Sequence, residues 1–215
     1  MTRSLPCRGL LFDSDGVLVD SDASVQLSWS RWAHRWDLDA GEVTAMVHGR
    51  RSADTVALLI DHADRARALA EIDRYEVEDA AGVTACPGAR ELLLSLPHER
   101  WAVVTSGRRD LLAARLVVAD LPTPGVLVTA DDIAVGKPDP AGYLRAAEAL
   151  GLSPADCVVF EDSPAGVAAG LAAGAVVVGV SERALDTGAS VVVRDLRGVT
   201  WEDGTLHLPE DLLRD

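Results

Sequence analysis

In the stretch Leu10-Leu11-Phe12-Asp13-Ser14-Asp15-Gly16-Val17-Leu18-Val19-Asp20 an apolar run stops at an acid, and a second acid, a glycine and a third acid follow. A short continuous apolar run ended by a turn signal suits a strand covered on both faces. In an open α/β sheet, the loops at the carboxyl ends of the strands hold the ligand site. Asp13 and Asp15 would then sit together at a sheet rim, crowded and half desolvated. Two carboxylates this close repel unless a cation or a shared proton relieves them. Magnesium is the simplest relief, because it is hard and takes carboxylate, carbonyl and water oxygen.

Beyond Asp20 the pattern turns helical. Ser21 and Asp22 offer N-cap chemistry. Val25, Trp29, Trp32, Ala33 and Trp36 then recur with a helical period over residues 23–36. The tryptophans read first as the core of a small helical unit, with stacking on a ligand as the lesser alternative. Further helices are predicted over 39–47, 53–62 and 64–78, with His48-Gly49-Arg50-Arg51 breaking the first from the second. Residues 80–85 are small and irregular, a linker.

From Pro87 the pattern alternates. A helix opens at Pro87-Gly88-Ala89, and others are predicted over 108–118, 140–150 and 164–173. Strands are predicted at 101–104, 126–128, 157–160, 175–180 and 190–193, with a short edge strand at 205–208. Such alternation predicts a parallel sheet with right-handed crossovers. The expected fold class is α/β: a Rossmann-like, doubly wound parallel sheet core with an inserted four-helix cap domain. The core would comprise residues 1–20 and 81–215, and the cap residues 21–80.

Four polar clusters each follow an apolar strand: Asp13/Asp15, Thr105/Ser106, Asp131/Asp132 with Lys137, and Glu161/Asp162. One edge of a parallel sheet would gather them. Asp13-x-Asp15-Gly16-x-x-x-Asp20 resembles the first motif of the haloacid dehalogenase superfamily, in its phosphatase and phosphomutase branch. Thr105-Ser106-Gly107 resembles the second motif, and Gly136-Lys137-Pro138-Asp139-Pro140 the third. Phe160-Glu161-Asp162-Ser163-Pro164-Ala165-Gly166 resembles the fourth. The resemblance implies that Asp13 is the nucleophile and Asp15 the general acid and base. It implies that Thr105, Ser106, Gly107 and Lys137 bind the transferring phosphoryl group. It implies a magnesium ion on Asp13, the backbone carbonyl of Asp15 and Asp162, with Glu161 beside it.

The residue types suit that chemistry on their own terms. A carboxylate attacking phosphorus forms an acyl phosphate and divides one hard hydrolysis into two easier steps. A second acid on the same loop protonates the leaving alkoxide and then takes a proton from water. Charge on the equatorial oxygens needs cations. Lys137 is the single lysine among 20 basic residues, so it reads as placed rather than as a solvated surface group. An N-cap ahead of Pro164 would explain one of Glu161 and Asp162 but not the pair. Thr105 and Ser106 are explained equally well by capping of the next helix.

Composition limits the partners. The formal net charge of −14 disfavours nucleic acid and anionic membranes, which call for basic footprints. No apolar stretch approaches the roughly 20 residues that span a bilayer. Met1 to Arg8 leads straight into Leu10–Phe12 and acids, without a signal-peptide pattern. Cys7, Cys86 and Cys157 lack metal-ligand spacing and read as free thiols in a reducing compartment. The expectation is a cytoplasmic monomer whose partner is a small phosphorylated metabolite.

In the resembled branch the inserted helices close over the site and choose the substrate. Closure would exclude bulk water, with hinges near Asp20-Ser21 and residues 80–85. His48, Arg50 and Arg51 are the cap-loop side chains expected to touch substrate, although two solvated arginines explain that loop as well. His48-Gly49-x-Arg51-Ser52-x-Asp54 resembles the small sugar- and polyol-phosphate phosphatases, the 2-deoxyglucose-6-phosphate and glycerol phosphate group. The expected function is therefore magnesium-dependent hydrolysis of a small sugar or polyol phosphate monoester through an aspartyl-phosphate. A β-phosphoglucomutase-like enzyme competes, but that family places an arginine where Ser52 stands, and the cap has no lysine. A non-catalytic phosphosugar-binding protein is opposed by the presence of Asp13, Asp15, Lys137 and Asp162 together. A dehalogenase proper would need neither Asp15 nor the metal pair.

Overall fold

Every residue of Gly9–Phe12 is buried, and this segment takes the middle of a parallel sheet. The computed structural model describes residues 3–214. Its first strands are β1 (Arg3–Pro6), β2 (Gly9–Phe12) and the two-residue β3 (Val19–Asp20). Four helices follow: α1 (Asp22–Arg35), α2 (Ala40–Met46), α3 (Ser52–Leu59) and α4 (Arg65–Glu78). β4 (Thr84–Ala85) ends the excursion by pairing antiparallel with β3, Val19 opposite Ala85 and Asp20 opposite Thr84. Helices and strands then alternate through α5 (Ala89–Ser95), β5 (Trp101–Val104), α6 (Arg109–Val118), β6 (Val126–Val128) and α7 (Ala141–Ala149). β7 (Cys157–Glu161), α8 (Pro164–Ala172), β8 (Val176–Val180) and β9 (Val191–Val193) continue the alternation. β10 (Thr200–Glu202) and β11 (Thr205–Leu208) come last.

The main sheet runs β6-β5-β2-β7-β8-β9, with every pairing parallel. The chain builds one side of β2 with β5 and β6, then crosses to build the other with β7, β8 and β9. That reversal between β2 and β7 opens a crevice outside the carboxyl ends of the strands. Both faces are covered. Leu10, Phe12, Trp101, Val103 and Phe160 belong to one buried cluster, and Leu11, Ala102, Val104, Val159 and Val177 to the other. Helices on both faces are why these strands read as unbroken apolar runs. Phe12 and Phe160 stack across adjacent strands with centroids 5.0 Å apart.

The four helices have a core of their own, built on Trp29, Trp32, Ala33, Val43, Val56, Ala68 and Ile72. Trp32 is fully buried and donates Nε1–H to the Ala68 carbonyl at 2.8 Å. The aromatic stripe is thus mainly core. The strand expected at 205–208 forms, but not on the main sheet: β11 lies between β1 and β10 in a separate three-stranded antiparallel sheet. β1 carries no continuous apolar run, because its side chains alternate between half-buried and exposed. No described helix is long and apolar enough to cross a membrane.

Candidate active site

The site begins where β2 ends. The carbonyl of Ser14 accepts the N–H groups of Leu18 at 2.8 Å and Val19 at 3.0 Å, which curls the loop tightly after Asp13. Gly16 in this loop has φ +77°, and a Cβ there would stand 2.1 Å from Asp162 Oδ2. The loop therefore presses its backbone against the end of β7, an approach open only to glycine. Asp13, Glu161 and Asp162 are all buried, and each brings one carboxylate oxygen within 4.8 Å of the others.

Lys137 is drawn into this cluster from the loop before α7. Its Nζ donates to Asp13 Oδ1 at 2.7 Å, Glu161 Oε1 at 2.6 Å and the Val104 carbonyl at 3.2 Å. Burial opposes its charge, but Asp13 and Glu161 override that and keep the ammonium protonated. Burial raises the Asp13 carboxyl well above the usual range; Lys137 pulls it down, while Glu161, Asp162 and Asp15 push it up. Burial and then Glu161 raise Asp162 to about 7, against the pull of Arg183.

An excess of buried carboxylate over cation, all hard oxygen, fits a magnesium ion. Glu161 has its oxygens engaged already. Oε1 accepts from Lys137 and from the Tyr143 hydroxyl at 2.8 Å, and Oε2 accepts from the backbone N–H and the hydroxyl of Ser163, both at 3.1 Å. It anchors Lys137 and the start of α8, which leaves Asp13 and Asp162 as the freer donors.

Asp15 stands on the same loop, half-buried. Its Oδ1 accepts from Arg115 Nη1 at 2.6 Å and from the Ser21 hydroxyl. Arg115 comes from α6 and is only 3% exposed. Ser106 and Gly107 lie at the mouth after β5. The Ser106 hydroxyl donates to the Gly49 carbonyl at 3.0 Å, and Thr105 Oγ1 accepts the Gly107 N–H at 3.0 Å.

The helical unit shuts down over these groups. A cavity of about 50 Å³ is lined by Asp13, Asp15, Ser106, Gly107 and Arg115 from below and by Trp29, His48, Arg50, Ser52 and Glu76 from above. Of the three cap-loop residues expected at substrate, His48 and Arg50 line this cavity and Arg51 does not. The Arg51 guanidinium is held by Asp54 at 2.7 Å and by the carbonyls of Ile133 and Ala134 at 3.2 and 2.9 Å. It fastens the helices to the loop before Lys137.

Sequence reasoning missed Arg115, Glu76 and Tyr143. Two of them carried a signal. Arg115 shares a helix face with Leu111 and Leu112, and Glu76 falls in register with Ala68 and Ile72; both sit on buried stripes. A charge on the apolar face of a helix is costly unless something uses it.

The comparisons bear on this arrangement. A family model described as haloacid dehalogenase-like hydrolase matches residues 7–174. The chain is 44% identical over 180 residues to hexitol phosphatase A of Escherichia coli, covering 81% of this chain and 83% of that protein. It is 32% identical over 217 residues to 2-deoxyglucose-6-phosphate phosphatase 1 of Saccharomyces cerevisiae, covering 88% of each. Among solved structures, a hydrolase from Pseudomonas syringae superposes with TM-score 0.79 at 26% identity, over 88% of this chain and 94% of that one. Strand order, loop chemistry and sequence likeness agree: the chain belongs to the haloacid dehalogenase-like hydrolase family.

Proposed function

We propose that the protein hydrolyses a small sugar or polyol phosphate monoester, with Asp13 as nucleophile and Asp15 as general acid and base. The observation that carries the reading is the convergence of Asp13, Asp15, Lys137 and Asp162 at one edge of the sheet. The likeness to hexitol and 2-deoxyglucose-6-phosphate phosphatases supports the substrate class.

Asp13 is buried with Oδ1 on Lys137, and its other carboxylate oxygen is the one that attacks phosphorus. Attack forms an acyl phosphate and expels the alcohol. Asp15 gives its proton to that alkoxide and then accepts one from the water that cleaves the acyl phosphate. Lys137 offsets charge on the phosphoryl oxygens. Thr105 and Ser106 supply hydroxyl donors, Ser106 exchanging the Gly49 carbonyl for phosphate, and the Gly107 N–H holds the Thr105 hydroxyl oxygen in place. Asp13, the Asp15 carbonyl and Asp162 would hold magnesium, which supplies further charge neutralisation to the phosphoryl group when bound.

Residues 21–80 act as the cap and residues 1–20 and 81–215 as the core. A cavity of about 50 Å³ is far below the 300–1,000 Å³ usual for small-molecule sites. Substrate entry thus requires the cap to swing open, with the β3–β4 pair as its hinge. The enzyme acts as a cytoplasmic monomer without nucleic acid or membrane partners.

The test is phosphate release across sugar, polyol and nucleotide monophosphates with and without magnesium. Release from polyol and sugar esters that stops in Asp13→Asn is expected. Conversion of hexose 1-phosphate to its 6-phosphate without free phosphate would mark a mutase instead.

A further inference from the structure

We propose that Arg115, Glu76 and Ser52 form a subsite that reads hydroxyl groups on the leaving alcohol, so that polyhydroxylated monophosphates are taken in preference to plain alkyl ones. This rests on the phosphatase reading above and adds the residues that choose among its substrates. None of the three lies in the four motifs around Asp13, Thr105, Lys137 and Glu161.

Arg115 lines the cavity and is 3% exposed. Its Nη1 is on Asp15, but Nε and Nη2 are buried and have no hydrogen-bond partner. Donors left unmade in a buried guanidinium are costly, and native structures retain them where something else completes the bond. Glu76 reaches the same cavity from the cap and is 8% exposed. It accepts from the Ser52 hydroxyl at 2.9 Å and from Trp29 Nε1 at 3.3 Å. A carboxylate has about four acceptor positions, so capacity remains. Arg115 and Glu76 attract each other across the cavity without bonding directly.

Arg115 thus brings unpaired donors, sealed from solvent in this closed state, to the core wall of the chamber, and Glu76 brings acceptor capacity to its cap wall. A hydroxyl is both acceptor and donor. It accepts from Arg115 and donates to Glu76, completing both at once; a methylene completes neither. Arg115 also holds Asp15, so one guanidinium would align the alcohol with the carboxyl that protonates its leaving oxygen. Because Glu76 and Ser52 ride on the cap, the hydroxyl contact is made only on closure.

The test uses two esters with the same four-carbon chain, erythritol 4-phosphate and butyl phosphate, with phenyl phosphate as a general phosphatase substrate. In the wild type, kcat/KM for the erythritol ester should exceed that for the butyl ester by about 100-fold or more, as expected when buried polar groups are left unpaired. Glu76→Gln, which turns one of the two oxygens that accept from Ser52 and Trp29 into an NH2 donor and leaves less acceptor capacity for the hydroxyl, should cut that ratio by about tenfold, mainly through KM on the polyol. Ser52→Ala should move it the same way by less. A wild-type ratio near one, or a ratio unchanged in both variants, overturns the subsite while leaving the phosphatase standing. If Glu76→Gln does not fold, the wild-type ratio and Ser52→Ala decide. Failure of the wild type to release phosphate from any of the three esters overturns the phosphatase reading itself.

Discussion

At Gly166 a Cβ would stand 1.6 Å from Glu161 Oε1, the oxygen that holds both Lys137 and Tyr143. Gly166→Ala should therefore push Glu161 away and release Lys137 from its place beside Asp13. The expected result is a loss of turnover of about 100-fold or more with a stability cost of about 1–3 kcal/mol, read by steady-state kinetics and urea unfolding. Glu76 makes a second prediction. Burial, opposed by Arg115 and Ser52, raises its carboxyl from 4.5 to about 7. A carboxyl raised in the folded state favours folding below its unfolded pKa, and that advantage is lost as pH climbs to the folded value. The wild type should thus lose roughly 3 kcal/mol relative to Glu76→Gln between pH 4.5 and pH 7.5. Urea midpoints of the two proteins across that range check it; parallel curves would contradict the assignment. At this scale Asp13, Asp15 and Asp162 were legible because each follows an apolar strand, and Lys137 because it is the single lysine of the chain. Arg115 and Glu76 were not, because the leucines and alanines define a helical stripe while a charge on the same face does not disclose, from sequence, what it meets across the packing.

The β3–β4 pair is only two residues long on each side, yet it is where the chain enters and leaves the four helices. Closure over the crevice is secured by a few bonds: Ser106 to Gly49, and Arg51 to the carbonyls of Ile133 and Ala134. Arg51→Ala should loosen that closure. Amide exchange in α3 should quicken, and KM should rise several-fold with a smaller change in kcat, as for contacts that act through a lid. Unchanged exchange in α3 would show that Arg51 does not hold the cap. The helices of the cap were legible from their apolar periods and, for α2, from Asp39, which accepts the Glu42 N–H; the caps expected from Ser21 and Ser52 do not form, because those hydroxyls donate to Asp15 and Glu76 instead. The small sheet of β1, β10 and β11 was not. Its strands are short and half-exposed, and what unites them is pairing between residues 3–6 and 205–208, which no local pattern encodes.

The formal net charge of −14 is spread over the whole chain, but Asp13, Glu161 and Asp162 concentrate three acids within one buried pocket against one buried lysine and the half-exposed Arg183, which reaches Asp162 at 3.2 Å. A divalent cation bound there should stabilise the folded state by mass action, about 2.7 kcal/mol at a hundredfold excess over Kd. For a domain of this size that is a rise in Tm of roughly 5–10 °C. Magnesium should produce it in the wild type and not in Asp162→Asn; equal shifts in both proteins would place the ion elsewhere. The parallel sense of the sheet was legible from the alternation of elements, and with it the edge on which the polar loops meet; the order of the strands was not, because alternation does not say on which side of β2 each new strand adds. The measurement that bears most directly on the whole account is chemical trapping at Asp13. Enzyme mixed with a polyol phosphate, quenched within a turnover and reduced with borohydride should yield homoserine at position 13. Steady phosphate release with aspartate intact at that position, and no modified acid elsewhere, would contradict it.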